Sequence, residues 1–391
     1  MDFDLSTEQK MIVKSAKEIA KKFGPEYWYE KEEEHEFPRD FFEALGDLGF
    51  LGLGISDEYD GTAMTLTEGA LALEALCSNG GGAAPVNNYL MGVLGGLSIA
   101  HHGNEAQKQK YLPRIAEGEI ITCFGLTEPD AGTNTLNIAT FAQKDGNNYI
   151  INGNKMFITN ARESQLMLLV ARTTPRDEAV KKSKGISLFL VELPNNSIKS
   201  SYIPKHGMNY SPTYDLGISD LKVPEENLLG EEGNGWFHLM GTINPERILI
   251  AAGAVGTGRI AIKHAVSYAK ERVVFDGPIG AYQGIQFPLA AAHAKLECAW
   301  MAVLKAATLH DQKKNAKQVG DIANMAKYLA VEACIEATYH AMQTLGGYGY
   351  AKEYHIERWW REVQLFRLAP ITQQMTLNYT SEHILGLPRS Y

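Results

Sequence analysis

Cysteine is scarce in this chain of 391 residues. Cys77, Cys123, Cys298 and Cys334 are scattered, with no CxxC pair and no metal-ligand spacing. A disulfide framework and a cysteine-bound metal are therefore not expected. Free thiols in a reducing compartment, the cytoplasm, are. Positive charge is also short: Lys and Arg number 37 against 46 Asp and Glu, a net charge of -9. Such a chain has no global electrostatic reason to bind nucleic acid or an anionic membrane surface. Long hydrophobic runs are missing. Residues 75–104 carry no formal charge, but Asn79, Asn87, Asn88 and the run Gly80-Gly81-Gly82 interrupt them, and the apolar part from Tyr89 to Ala100 is only 12 residues. That is too short to cross a bilayer and predicts a buried helix. The start, Met1-Asp2-Phe3-Asp4, lacks the basic and apolar segments of a signal peptide. No GxSxG and no P-loop is present, so local motifs point to neither hydrolase nor kinase.

What is present suffices for a large core: 45% of residues are hydrophobic and 21% charged. The patterning runs α, then β, then α, a multi-domain α+β chain with expected domains at 1–120, 121–232 and 233–391. Ser6 with Gln9 and Thr65 with Glu68 form capping-box patterns that open helices. A helix following Pro38 places Phe41, Phe42, Leu45 and Leu48 on one side, and another runs from about Asn104 to Glu117. From about Ile120 short apolar runs alternate with turn residues. Asp145-Gly146 and Asn152-Gly153 predict turns, and Gln165–Arg172 and Gly185–Leu193 predict buried strands. Beyond Gly235, four helical patterns over 236–273, 282–312, 315–345 and 370–385 suggest a bundle.

Two features invite over-reading. Gly253-Ala-Val-Gly256-Thr-Gly258 is glycine-rich but follows a helical pattern and lacks the GxGxxG order, so close helix packing is the expectation. His101 and His102 are adjacent, which does not put both rings on one helical face, and no metal is expected there.

Four blocks carry a family resemblance. They are Phe124-Gly-Leu-Thr127-Glu128-Pro129-Asp130-Ala131-Gly132-Thr133-Asn134; Asn152-Gly-Asn-Lys155-Met-Phe157-Ile158-Thr159-Asn160; Arg272-Val-Val-Phe275 with Gln283; and Gln343-Thr-Leu-Gly346-Gly347-Tyr-Gly-Tyr350. In order and spacing they resemble the TEPxAGS/T, NGxKxWITN, RxxFG…Q and QxxGGxGY segments of the acyl-CoA dehydrogenases, a family of flavoenzymes. Asp276 shifts the usual glycine of the third block to Gly277. The resemblance implies an N-terminal helical domain, a middle β-barrel domain and a C-terminal four-helix bundle, and it implies bound FAD. Phe124, Leu126, Thr127 and Thr133 would lie on the cofactor, with Leu126 and Thr127 at the pyrimidine edge of the flavin. Phe157, Ile158 and Thr159 would lie along its other side, although without the family Phe157 would be assigned to the core. Arg272 and Phe275, with Gln283, would serve the pyrophosphate and adenine. Gln343, Gly346 and Gly347 would reach the FAD of a neighbouring subunit, since glycine admits close backbone approach to a ligand.

The family's reaction takes an α-proton and a β-hydride from a CoA thioester, giving the trans-2-enoyl-CoA, and it needs a carboxylate base of raised proton affinity and donors on the thioester oxygen. Many members carry the base in a C-terminal YEG(T/S) segment. Here that stretch reads Arg367-Leu-Ala369-Pro-Ile371-Thr-Gln373, and Ala369 cannot take a proton. The branch resembling isovaleryl-CoA and long-chain acyl-CoA dehydrogenases places its Glu elsewhere, where this chain has Asn244-Pro245-Glu246-Arg247. Glu246 is thus the expected base for the pro-R α-proton, and flavin N5 the hydride acceptor. Pro245 suits a first helical position, where Glu246 would merely favour the helix dipole, or it kinks a longer helix. Ala369 retains a backbone N–H for the thioester oxygen. Arg247 is either a neighbour of the substrate site or half of a structural ion pair. Ile371 replaces a common Thr, and Gln373 is a retained FAD contact. The resemblance further implies an acyl-CoA substrate, electron-transfer flavoprotein as acceptor, a homotetramer, and a place in fatty acid metabolism such as β-oxidation. Two rivals stand beside it: a flavin monooxygenase or oxidase on the same fold, and a non-catalytic subunit of a heteromeric complex.

Overall fold

The computed structural model describes residues 4–390. Met1–Phe3, part of the start compared with a signal peptide, and Tyr391 lie outside the described residues. Helices come first: α1 Thr7–Lys22, α2 Pro25–Glu34, α3 Arg39–Asp47, α4 Leu66–Leu76, α5 Ala84–His102 and α6 Glu105–Ala116. Strands follow: β1 Thr122–Gly125, β2 Phe141–Asp145, β3 Asn148–Thr159, β4 Leu166–Arg172, β5 Ile186–Glu192, β6 Ile198–Tyr202, β7 Thr213–Pro224 and β8 Leu228–Leu229. The chain then returns to helix in α7 Gly235–Glu271, α8 Gln283–Asp311 and α9 Ala316–Leu345, with short α10 Gly347–Tyr350, α11 Ile356–Glu362, α12 Leu365–Leu368 and α13 Gln373–Tyr379. Helical regions at both ends of the chain and a sheet in the middle are the α, β, α order expected from the patterning.

These elements form two compact units. One holds Met1–Glu30, Thr65–Val86 and Asn244–Tyr391; the other holds Lys31–Met64 and Asn87–Ile243. In the first, both capping boxes form as the sequence suggests: Ser6 and Gln9 exchange bonds at 3.1 and 3.2 Å, and Thr65 with Glu68 does likewise. The α4 N-terminus gains a second cap from afar, because the Asp311 carboxylate accepts from the Leu66 and Thr67 amides at 2.9 and 3.0 Å. The core of this unit includes Ile260, Ala265, Leu296, Ala337 and Trp359. The glycine run of α7 is packing, as expected: a Cβ on Gly256 would stand 2.5 Å from the Glu74 carbonyl oxygen, and one on Gly258 would meet Leu296. The fourth helical pattern is shorter than expected. It becomes α13 and a π-turn over Thr380–Ile384, so the regular helix covers only part of 370–385.

In the second unit an eight-stranded sheet runs β6-β7-β3-β2-β4-β5-β8, with β1 pairing β4 in parallel. Strand β4 reads as an unbroken apolar run because both its faces are covered. Leu166, Leu168 and Val170 pack with Tyr111, Leu112 and Ile115 on one side. Met167, Leu169 and Ala171 pack with Tyr149, Ile151 and Leu216 on the other. Asp145-Gly146 makes the β2–β3 turn, Gly146 having φ +57°. Asn152-Gly153 does not turn; it lies inside β3, opposite a register shift in β7. The Asn152 amide serves the displaced Asp220, accepting its backbone N–H at 2.8 Å and donating to its carboxylate at 3.2 Å. Gly153 is required there because a Cβ would strike Thr140 Oγ1 at 2.4 Å. Leu48 also departs from expectation: it is 45% exposed while Phe41, Phe42 and Leu45 are buried, since α3 ends at Asp47. The Tyr89–Ala100 stretch lies within α5, and no helix among the described residues is long and apolar enough to cross a membrane.

Candidate active site

The motif residues of the sheet-containing unit are laced to one another. The Thr127 carbonyl accepts from the Met156 amide at 2.8 Å, and the Leu126 carbonyl accepts from Lys155 Nζ at 3.0 Å. Lys155 is fully buried and also donates to Glu128 at 2.8 Å. Glu128 in turn accepts from the Ala139 and Thr140 amides at 2.6 and 3.0 Å. The segments 124–134 and 152–160 thus form one rigid ledge. On it the hydroxyls of Thr127, Thr133 and Thr159 make no hydrogen bond to any described residue, leaving them open to a ligand. Phe124 and Leu126 are half-buried against the core.

Phe157 is not a core residue. A register shift of β3 between Lys155 and Ile158 puts it at φ +60° and leaves it 58% exposed. A large aromatic held outward in a left-handed conformation marks a site rather than a fold requirement. Ile158 corrects a different expectation. Its side chain is 1% exposed within the sheet core, so only its backbone is open to a cofactor.

In the helical unit Glu246 lies inside α7, a helix of 37 residues beginning at Gly235. Pro245 is therefore not a first helical residue, and the helix dipole does not account for the acid. Glu246 makes no hydrogen bond or ion pair with any described residue. Burial pushes its carboxyl up to about 7, against the opposing pull of the Arg247 and Lys327 cations. Arg247 is not half of an ion pair. It donates to Asn244 Oδ1 at 3.2 Å, its buried Nε has no partner, and burial lowers its proton affinity. A carboxyl poised near neutrality and free of partners is suited to accept a proton.

The expected donor at Ala369 is already engaged. Its N–H donates to the Leu365 carbonyl at 2.9 Å, closing α12, so it is not an open donor for a thioester oxygen in this structure. The Ala369-Pro370 bond is cis. Gln373 is half-buried at the start of α13, which Thr372 caps through the Met375 amide.

Arg272, Gly346 and Gly347 line one cavity of about 660 Å³ together with Tyr268, Tyr348 and Glu353. A Cβ on either glycine would meet nothing within 4 Å, and Gly346 has φ +62°. Arg272 is exposed and free of ion pairs. Phe275, 90% exposed at φ +58°, Gln283 and Gln343 are all exposed but do not line the cavity.

Comparison with known proteins settles the lineage. Models of the acyl-CoA dehydrogenase N-terminal, middle and C-terminal domains match residues 6–119, 123–221 and 233–385. The chain belongs to the acyl-CoA dehydrogenase family. It is 37% identical to acyl-CoA dehydrogenase FadE12 of Mycobacterium tuberculosis over 99% of this chain and 98% of that protein. It is 35% identical to the caffeyl-CoA reductase-Etf complex subunit CarC of Acetobacterium woodii over 95% and 96%. Among solved structures, the glutaryl-coenzyme A dehydrogenase glutaryl-CoA complex superposes with a TM-score of 0.92 or better, at 0.93, with 31% identity over 100% of this chain and 98% of that one. The FAD complex of PigA matches at 0.92, with 25% identity over 99% and 100%.

For a member of the acyl-CoA dehydrogenase family, the residues present fit FAD. The open threonine hydroxyls and outward Phe157 offer a ledge for a flat ring, and the Arg272 cavity offers a cation and bare glycine backbone for a phosphate-bearing group. Three residues carry no task in the sequence reading: Lys155 and Glu128, which lie inside the motifs, and Lys327, which lies outside them. The signal for Lys327 was available: it falls on the buried stripe of α9 between Ala323, Ala326 and Ala330, where a charge is out of place. Among the described residues no cluster of His, Cys, Asp and Glu is arranged to hold a metal. His101 Nδ1 donates to the Leu97 carbonyl at 2.8 Å, and the His102 ring lies against His238 instead, with centroids 4.4 Å apart and planes tilted by 33°.

Proposed function

We propose that the chain is an FAD-dependent acyl-CoA dehydrogenase in which Glu246 removes the α-proton of a CoA thioester, yielding the trans-2-enoyl-CoA. The carrying observation is the Glu246 carboxyl, unpaired and pushed up to about 7, while Ala369 occupies the other position a base takes in this family. FAD, when bound, supplies the acceptor for the β-hydride. Leu126, Thr127, Thr133 and Thr159 would hold its flavin end, with Phe157 against the ring. Arg272, Gly346 and Gly347 would hold its phosphate end. Phe124, Ile158 through its backbone, Phe275, Gln283, Gln343 and Gln373 complete the proposed contacts. Burial keeps Glu246 basic enough to accept a proton at neutral pH, and the adjoining cations keep it from being neutralised too early. Arg247 holds Asn244 beside the base. The thioester oxygen would receive the Ala369 N–H only if that group left the Leu365 carbonyl.

Reduced flavin would pass its electrons to an electron-transfer flavoprotein, a reading supported by the Etf-complex relative. A homotetramer accords with large exposed apolar side chains such as Phe275, Phe287 and Tyr350. Division into domains at 1–120, 121–232 and 233–391, and residence in the cytoplasm, where its four free cysteines would stay reduced, belong to the same proposal. Anaerobic mixing of the FAD-loaded protein with a panel of straight, branched and cyclic acyl-CoAs tests it. Wild type should bleach the flavin with at least one, and Glu246→Gln should lose that bleaching by about 100-fold or more. Unchanged bleaching removes Glu246 as base.

The engaged N–H and missing carboxyl of Ala369 favour one second reading, a non-catalytic subunit of a heteromeric dehydrogenase. Flavin that no acyl-CoA bleaches, in a chain purified alone, would support it. Turnover that consumes oxygen would instead favour an oxidase on this fold.

A further inference from the structure

Lys327 is the most deeply buried ammonium of the helical unit. It sits in the middle of α9 at 1% exposure. Its Nζ has one partner, the Ile371 carbonyl at 2.9 Å, and no carboxylate among the described residues is paired with it. A buried cation served by a single neutral acceptor is strongly unfavourable unless a counter-charge stands near. Burial accordingly pushes Lys327 down to about 8.

Three charges act on it besides solvent. Arg247 of α7 repels it, and Glu332 of its own helix and Glu246 of α7 attract it. Glu332 is already committed to Arg367 by two bonds at 2.8 and 2.6 Å. Glu246 is committed to nothing. On its side, Glu246 meets Arg247 from its own helix and Lys327 from α9. Tyr379 of α13 acts on Arg247 and is itself tied to Asp321 at 2.9 Å. The carbonyl that Lys327 grips belongs to the 369–373 segment, where the family's other base position and Gln373 lie.

We propose that Lys327 is a positioning residue for the base: its ammonium clasps the 369–373 segment through the Ile371 carbonyl and supplies, from α9, the counter-charge that keeps Glu246 ionised. This rests on Glu246 being the base. Arg247 pulls harder on Glu246, but it does so from the same helix with its guanidinium on Asn244 at 3.2 Å; Lys327 adds its charge from α9, whose first residue, Ala316, accepts from the Asn244 amide at 3.3 Å. Lys327 is fixed by the helix and by Ile371, so its charge cannot drift to solvent when the substrate enters.

The test uses the FAD-loaded protein and follows the protonated-carboxyl stretching band by infrared spectroscopy as pH is varied. Glu246→Gln identifies the band by its loss. Lys327→Gln keeps an amide donor but removes the charge, and its Glu246 midpoint should rise by about one pH unit, a tenfold gain in proton affinity. Lys327→Arg should return the midpoint to the wild-type value. The pH at which acyl-CoA bleaching is half-maximal should move with it, with little change in the concentration of acyl-CoA needed. An unmoved midpoint in Lys327→Gln overturns the inference, as does a midpoint displaced by a unit in Lys327→Arg, which decides the matter even if Lys327→Gln does not fold. Failure of the underlying reading looks different: bleaching would then survive Glu246→Gln, whatever Lys327 does to the band.

Discussion

Lys155 and Glu128 form an ion pair at 2.8 Å with side chains 0% and 7% exposed. They lie 27 residues apart on different segments, and the pair ties the loop after β1 to β3. Glu128 keeps its charge despite burial, which opposes it, because Lys155 and the amides of Ala139 and Thr140 outweigh that penalty. Removing one partner strands the other. Lys155→Met should therefore destabilise the protein by about 3–5 kcal/mol, read as a lowered urea midpoint. The ledge carrying Thr127 and Phe157 should loosen as well, so flavin should be lost on gel filtration. A stability loss under about 1 kcal/mol would show the pair to be expendable.

Much of this molecule was legible from local pattern. The capping boxes at Ser6 and Thr65 depend on residues close in sequence, and the burial of β4 announces itself in its own unbroken apolar run; each formed as expected. Some of the misplaced features depend on partners far along the chain, others on the backbone a single turn away. Asn152-Gly153 has turn chemistry, but its amide is spent on Asp220, 68 residues away. Local pattern alone reads Phe157 as a core aromatic; the resemblance set it on the cofactor side, and the register shift between Lys155 and Ile158 leaves it exposed. Ala369 has a free-looking N–H in sequence, and only the helical turn of α12 consumes it. Pro245 fits a helix start or a kink in a longer helix by local rule, and the structure places it inside α7. Glu246 was legible only through family resemblance, since nothing local distinguishes it from a solvent-facing acid.

Arg272 separates cofactor binding from folding. It is exposed and holds no ion pair, so Arg272→Gln should leave the unfolding temperature of the flavin-free protein unchanged. If it grips the phosphates of FAD, loss of a charged hydrogen bond should weaken FAD binding by roughly 10- to 100-fold. Dilution followed by fluorescence of released flavin measures this. Equal FAD affinity in the variant would remove Arg272, and the cavity it lines, from the cofactor site.

The His102 and His238 rings lie 4.4 Å apart, tilted by 33°, with buried, unpartnered Nε2 and Nδ1 atoms respectively. Burial first, then the charge of its histidine neighbours, lowers His102 to about 4, and burial lowers His238 too. Each is therefore neutral in the folded chain at a pH where the unfolded chain takes up a proton. The His102 contribution is full above about 6.5 and is lost as pH falls through about 4, and that of His238 is lost in the same direction. His102→Phe keeps a ring against His238 and cannot titrate. Between pH 6.5 and 4 it should retain about 1–2 kcal/mol of stability that wild type loses, after allowance for the partial exposure of the ring. Parallel denaturation curves for the two proteins across that range would contradict this.

Glu246 carries the opposite sign. Its folded value of about 7 stands above the ordinary 4.5, so the folded chain holds a proton that the unfolded chain has released. The stability associated with the neutral carboxyl is complete below about 4.5 and is lost as pH rises through about 7. Above that pH the fold bears an ionised carboxylate with no hydrogen-bond partner. Gln has the same shape and never ionises. Glu246→Gln should therefore match wild type at pH 4.5 and exceed it at pH 8 by on the order of 2–3 kcal/mol, measured as unfolding free energy of the FAD-loaded protein. The same substitution should abolish bleaching by acyl-CoA. A side chain whose removal raises stability while ending turnover is retained for chemistry, because a merely structural acid would be missed by the fold. Should the variant prove less stable than wild type at pH 8, the carboxylate has partners at that pH and is not the strained, proton-seeking group on which catalysis here depends.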